Sequence, residues 1–448
     1  MRTGCRSHHL THPGGTNRAR HRCRGRTGAT RFPEVPVVLK LLRENRDIRL
    51  LFFAQVVSYL GDWFTFVALA GLVDDATDSK FLVSLVYVAF SLPSFLASPI
   101  AGPAADRYDR RKLLVVVSSL QAVCALGLLG SSDGRIWIAL VAQSLIAALA
   151  AFIGPASSAA IPNLARNDDE LRKANSLLGA TWGVMLAVGA GLGGLFAQTF
   201  GRNAAFVADA VSFVVAGLLF AAIRTPMQQH ELSESGGRKV RPIADMREAV
   251  HLARRDSVIL ALVASKMTFA IGAGIVSQLA VLASEAFKQG DSGRGLLIGA
   301  RGLGSGLGPL VAARLVKGDL ERLLLVCGVA GVLFSGFYLG ASISPHIVIA
   351  AIFVALAHFG GGAQWVLSSY GLQMRAPDEV RGRVIAGDFA LVTLTLSITS
   401  AVSGVVSDAI GVRSTIAVFA VAAATAGTLY LVLTAPIRQR LRNERQSR

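Results

Sequence analysis

Twelve runs of about twenty or more mainly apolar residues fill this chain from residue 48 to residue 436, and they restrict the fold before any motif is read. A helix crosses roughly 30 Å of hydrocarbon with about 20 apolar residues. The predicted spans of the first half are 48–73, 81–102, 113–130, 136–159, 174–200 and 203–223. Those of the second half are 257–284, 295–313, 323–343, 347–371, 384–407 and 414–436. Barrel strands are excluded, because they alternate in polarity over about 10 residues, whereas these runs are longer and evenly apolar. With 52% hydrophobic residues and only 16% charged among 448, the chain lies outside the balance of a soluble domain. The expected fold class is all-α integral membrane, twelve transmembrane helices in two similar six-helix halves.

The halves repeat each other. Arg46-Asp47 recurs as Arg255-Asp256 and Asp169-Glu170-Leu171-Arg172 as Asp378-Glu379-Val380-Arg381, both at an offset of 209, and Gly194 with Phe200-Gly201 recurs as Gly404 with Ile410-Gly411 at 210. A constant offset between like landmarks marks a duplicated unit, the usual construction of a secondary transporter. The predicted organisation is a basic tail over 1–45, one half over 46–223, a linker over 224–256, the second half over 257–436 and a basic tail over 437–448.

Lys and Arg orient the spans. Twelve lie in the leading tail to Arg49 and 25 on the other segments of the same side, against Lys80, Arg135, Arg202, Lys288, Arg294 and Arg413 on the opposite side. The positive-inside rule puts both termini in the cytoplasm of a multi-pass protein of the cell inner (plasma) membrane. The net charge of +17 therefore follows the membrane and gives no sign of nucleic acid. The leading tail, with little to bury, is expected to be disordered, and reads either as a binder of anionic lipid or as sequence upstream of the natural start. Its Cys5, His8, His9, His12, His21 and Cys23 match no closed zinc pattern, so no metal or cofactor is expected. Cys124 and Cys327 read as small apolar residues. In the linker, Ile243, Met246, Val250 and Ala253 fall at helical spacing opposite Arg247, Glu248 and Arg254, which predicts an amphipathic surface helix.

Between spans 2 and 3 the chain reads Gly102-Pro-Ala-Ala-Asp106-Arg107-Tyr-Asp109-Arg110-Arg111-Lys112. A small residue lets two helices approach, and a carboxylate followed by guanidinium groups can latch one half to the other through charge-assisted hydrogen bonds or a helix N-terminus, then release it. This segment resembles the major facilitator superfamily signature G-x-x-x-D-R-x-G-R-R/K at Gly102, Asp106, Arg107, Arg110 and Arg111, with Asp109 where the signature has glycine. With Gly61-Asp62-Trp63, Gly154-Pro155, Ile161-Pro162-Asn163-Leu164, Ala174-Asn175 and Arg381-Gly382-Arg383-Val384, it is similar to the branch of bacterial macrolide-efflux and enterobactin-exporter proteins. The second half keeps a degraded copy: Gly308, Pro309, Arg314, Lys317, Asp319, Glu321 and Arg322. In span 5, Gly189-Ala-Gly-Leu-Gly193-Gly194 resembles the superfamily's antiporter motif with Ala190 in place of proline; close packing through small residues accounts for it equally well.

A charge near the bilayer centre costs at least about 2.5 kcal/mol, so intramembrane ionisable residues are candidate functional groups. Asp62 shares a helical face with Gln55, Ser58 and Thr65, a stripe expected to line a central cavity, and stands as a coupling or substrate site or as a structural hydrogen bond. Lys266 and Arg301 are cations inside spans 7 and 8; Asp209 and Asp388 are their candidate partners, and His358 is a lone titratable group in span 10. Neither a phosphate-binding loop nor a catalytic constellation occurs, so neither an ATP-driven pump nor an enzyme is expected. The reading is a monomeric secondary active transporter working by alternating access on a small-molecule substrate and protons in the lipid bilayer. Proton-coupled efflux of a hydrophobic or amphipathic drug, macrolide or siderophore-like compound leads. A symporter or facilitator importing a nutrient, and a non-transporting scaffold or sensor, are the alternatives.

Overall fold

A computed structural model describes residues 35–132, 134–228, 256–377 and 381–447, which are helical with no strand among them. The spans are Arg46–Ala76, Lys80–Arg107, Arg110–Gly130, Ile136–Leu164, Asp168–Phe200 and Arg202–Ala221, then Ser257–Ala286, Asp291–Val316, Leu320–Ser342, Ile347–Arg375, Arg383–Ile410 and Val412–Leu433. They are called spans 1 to 12 below, and the membrane side carrying the chain ends the terminal face. Their starts follow the polar punctuation of the sequence. Asn45, Ser79, Asp109, Asn167, Asp256 and Asp319 each accept a hydrogen bond from a backbone N–H of the first turn, satisfying donors that a helix leaves unpaired. Asp109, the departure from the signature, is thus the cap of span 3, bonded to the Lys112 N–H at 2.8 Å.

The duplication is visible in the backbone. Gly201, between spans 5 and 6, has φ 85° and ψ 159°; Gly411, between spans 11 and 12, has φ 83° and ψ 159°. Only glycine occupies that region readily, so the two halves turn the same corner with the same residue.

Apolar packing divides the molecule unequally. On the side away from the chain ends, a single core takes in Trp63, Val67, Leu186 and Phe206 of the first half with Ala270, Leu297, Phe334 and Ile416 of the second. Toward the terminal face there are two cores. One holds Ile48, Leu51, Leu114, Ile161 and Phe220, the other Val258, Leu262, Leu323, Leu367 and Tyr430. The halves therefore meet on the far side and part on the terminal side. Spans 5 with 8 and 2 with 11 make the principal junctions between them.

Two expectations fail at the ends. Residues 35–44 of the leading tail form a helix rather than disordered chain, because Leu41 is buried in the first-half core and the Arg166 guanidinium donates to the Glu44 carbonyl at 2.6 Å. The trailing tail is also helical, over Ala435–Gln446. Span 12 ends at Leu433, not 436; Pro436 in the first turn of the new helix fits a restart, and Arg442 and Arg445 bind Glu321 in the first turn of span 9 and Asp319, its cap. The candidate linker helix over 243–255, the zinc-type residues of the leading tail and the repeat landmark 378–380 lie outside the described residues.

Candidate functional site

The signature loop holds one half together rather than spanning two. Arg110 donates from Nε to the Ala105 carbonyl at 3.1 Å and from Nη1 to the carbonyls of Ala159 (2.8 Å) and Met227 (3.0 Å). Arg111 donates to the carbonyls of Arg224 and Thr225, each at 3.2 Å, while Asp47 accepts from the Thr225 N–H at 2.9 Å and hydroxyl at 2.6 Å. These bonds tie the terminal-face ends of spans 1, 2, 3, 4 and 6. Asp106 is different: its side chain is 79% exposed and, among the described residues, pairs with Arg110 alone, at 3.7 Å. Arg107 is exposed as well. A Cβ on Gly102 would meet nothing within 4 Å, so the close helix approach expected there is absent in this state. Among the described residues the Asp106 carboxylate reaches no group of the second half, in keeping with the separate terminal-face cores.

The far side is fastened. Arg294, 1% exposed, donates to Asp74 at 2.5 Å and Asp75 at 2.7 Å at the end of span 1, and to Asp291 at 2.7 Å. Arg202 bridges Asp75 (2.5 Å) and Asp291 (2.8 Å), and Ser284 donates to Asp74 at 2.5 Å. Lys80 pairs with Glu285 at 3.0 Å. Asp408, at the end of span 11, accepts from the backbone N–H groups of Lys80 (2.6 Å) and Phe81 (3.2 Å), so a carboxylate of one half caps a helix of the other. Beneath these polar groups, spans 5 and 8 touch backbone to backbone. A Cβ on Gly194 would come within 2.8 Å of the Gly295 Cα, and one on Gly302 within 2.6 Å of the Ala187 Cα. Gly189 and Gly193 face Trp63 and Phe64 of span 1 instead, so the span 5 glycines serve close packing on two sides.

At mid-depth the predicted ionisable residues fall into three places. Asp209 is fully buried beside Asp62: a Cβ on Gly61 would strike the Asp209 carboxylate and the Ser212 hydroxyl, which donates to Asp209 at 3.2 Å. No cation among the described residues pairs with Asp209, contrary to the expectation of a salt bridge. Asp62 remains partly exposed, whereas Gln55, Ser58 and Thr65 are buried in packing rather than lining open space. Lys266 and Asp388 form a buried ion pair within the second half, and the Lys266 ammonium also donates to Ser369 at 2.8 Å. Arg301 stands apart from both, 5.9 Å from the Tyr87 ring across the junction. His358 is buried, with Nε2 2.8 Å from the Tyr338 hydroxyl.

Asp74, Asp75, Asp291, Glu285 and Asp408 were not singled out from the sequence. The signal was the scarcity of cations on the far side: three of the six there, Lys80, Arg202 and Arg294, anchor this network.

Compared with known proteins, residues 42–447 match the family described as transmembrane secretion effector. The chain belongs to this family of the major facilitator superfamily. The chain is 24% identical over 366 residues to a Bacillus subtilis (strain 168) protein named as a putative bacilysin exporter, BacE, covering 81% of this chain and 88% of that one. It is 26% identical over 383 residues to the multidrug efflux pump Tap of Mycolicibacterium fortuitum, covering 82% and 90%. Among solved structures, the fold matches the nucleoside transporter NupG (TM-score 0.70, 10% identity, 87% of this chain and 99% of that one). It also matches a bacterial homologue of the lysosomal transporter Spinster (TM-score 0.65, 14% identity, 91% and 98%). The protein is a multi-pass membrane transporter and not an enzyme.

Proposed function

We propose that this protein is a secondary active exporter that exchanges protons for a small amphipathic molecule, seen here open to the cytoplasm. The distribution of Lys and Arg supports placing the terminal face inside. Alternating access then consists of fastening Asp106 while the Asp74-Asp75-Arg202-Asp291-Arg294 network comes apart, and the reverse.

The observation that carries proton coupling is the carboxylate pair Asp62 and Asp209. Asp62 is half-buried, Asp209 beside it is fully enclosed, and no cation among the described residues balances them. Two carboxyl groups so close in a poorly solvated place disfavour double ionisation. A proton is the smallest cation that can complete the site. Asp388, already balanced by Lys266, is the weaker candidate. The names of the relatives BacE and Tap, an exporter and an efflux pump, support outward transport.

The test uses everted vesicles energised to acid inside, with a panel of lipophilic antibiotics and siderophores. The expected result is that at least one compound dissipates the gradient with the wild-type protein and not with Asp62→Asn or Asp209→Asn. Equal responses of wild type and both variants would refute the assignment of the pair.

A further inference from the structure

Arg301 is ten residues into span 8 from Asp291, about 15 Å along the helix axis. An unpaired charge at that depth is costly, and the other cation well inside a span, Lys266, has its carboxylate. No ion pair reaches Arg301 from any described residue, and its Nε donates to nothing. What surrounds it is aromatic. Its guanidinium lies 5.9 Å from the Tyr87 ring, and Tyr87 continues through Phe66 (6.4 Å) and Phe90 (5.1 Å further) to Trp63. One turn along the same face of span 8, Ser305 lies 3.5 Å from His358, which opens the second half's cluster of Tyr338, Phe334 and Phe269. A lone guanidinium thus sits where two aromatic walls, one from each half, meet in the far-side core.

We infer that Arg301 anchors an anionic group of the transported molecule, a carboxylate or similar monoanion, while the apolar body of that molecule lies along the ring walls. The assignment rests on the reading of the substrate as a small amphipathic compound and adds its charge. A guanidinium presents paired N–H donors to a carboxylate, and its attraction strengthens away from water. Neutral amphipaths gain only the ring contacts, so the site sorts molecules by sign. The contact with Tyr87, in the opposite half, also makes the anchor a point that both halves share.

The experiment is calorimetric titration of the full chain in lipid nanodiscs with 2-naphthoate and 2-naphthamide, which differ in charge but hardly in shape. The expected result is that the wild-type protein binds the acid about tenfold or more tightly than the amide. Arg301→Gln removes that preference and leaves amide affinity within about twofold, which shows the walls intact. Equal affinities in the wild type, no binding of either probe, or an acid preference that survives Arg301→Gln overturns the assignment. If Arg301→Gln loses the amide as well, Arg301→Lys decides: a retained acid preference supports the anchor, and its loss overturns it. Failure of proton-driven export in vesicles, with the acid preference intact, would remove the export reading and leave the anchor standing.

Discussion

Replacing Arg294 by Gln should tip the balance between the two open states. Arg294 makes two bonds across the halves, to Asp74 and Asp75, that exist only while the far side is closed. A hydrogen bond to a charged group contributes about 1.5–3 kcal/mol net, and that range suits the one to Asp74, which is mostly buried. Asp75 is 54% exposed, so its pair is worth about 0–1 kcal/mol. The bond to Asp291 lies within span 8 and cancels between states, and Arg202 still bridges Asp75 and Asp291 after the change. The sum is about 1.5–4 kcal/mol, and its midpoint corresponds to roughly 100-fold in the equilibrium at about 1.4 kcal/mol per tenfold. The reporter is Ser84→Cys in a chain with its natural cysteines replaced. Ser84 is fully buried at the junction, bonded to Gln278 at 2.7 Å, and is uncovered only when the far side opens. Labelling by a membrane-impermeant maleimide from outside should accelerate by about two orders of magnitude in Arg294→Gln, and by less in Arg294→Lys. A rate within twofold of the parent would refute the claim that this network holds the far side shut.

Three further outcomes are expected. Gly194→Val should wedge spans 5 and 8 apart, because even a Cβ would come 2.8 Å from the Gly295 Cα; the same Ser84→Cys reporter should label faster while transport falls. Gly201→Ala and Gly411→Ala should each cost about 1–3 kcal/mol, seen as a lower Tm in detergent, since both carry the same strained backbone; an effect in only one of them would contradict the repeat. Lys266→Met should destabilise by about 3–5 kcal/mol, and the double variant Lys266→Met/Asp388→Leu should recover most of that, because an orphaned buried charge costs more than an apolar pair; a double variant no better than the single one would argue that the ion pair itself supports the fold.

The fold was legible in the sequence because its determinants are local. Apolar length is read from consecutive positions, and span limits such as 136–159 against Ile136–Leu164 differ mainly at the ends, where the helix runs on past the predicted stretch. The Lys266–Asp388 pair was foreseeable too, since two opposite charges in apolar runs must find each other. Asp209 was assigned the wrong company, because composition cannot reveal that Gly61 lets its carboxylate lie beside Asp62. The far-side network escaped notice for a related reason. Its members stand at span ends, where single charges are ordinary, and become unusual only when five of them converge from spans 1, 6 and 8. Asp109, which stands where the signature has glycine, is explained by its role as a helix cap.

The backbone contact of spans 5 and 8 has a kinetic consequence. Where glycines and alanines meet, no side chain must change rotamer for one helix to roll over the other, so the path between states is smooth along that line. The resistance is concentrated at the polar rim, in a handful of ionic and capping bonds that break together. The waiting time in each state is then governed by those few bonds, while the course of the motion is governed by the small residues beneath them. Substitutions at the rim should alter how often the transporter turns over, and substitutions along the glycine line should alter whether it can turn at all.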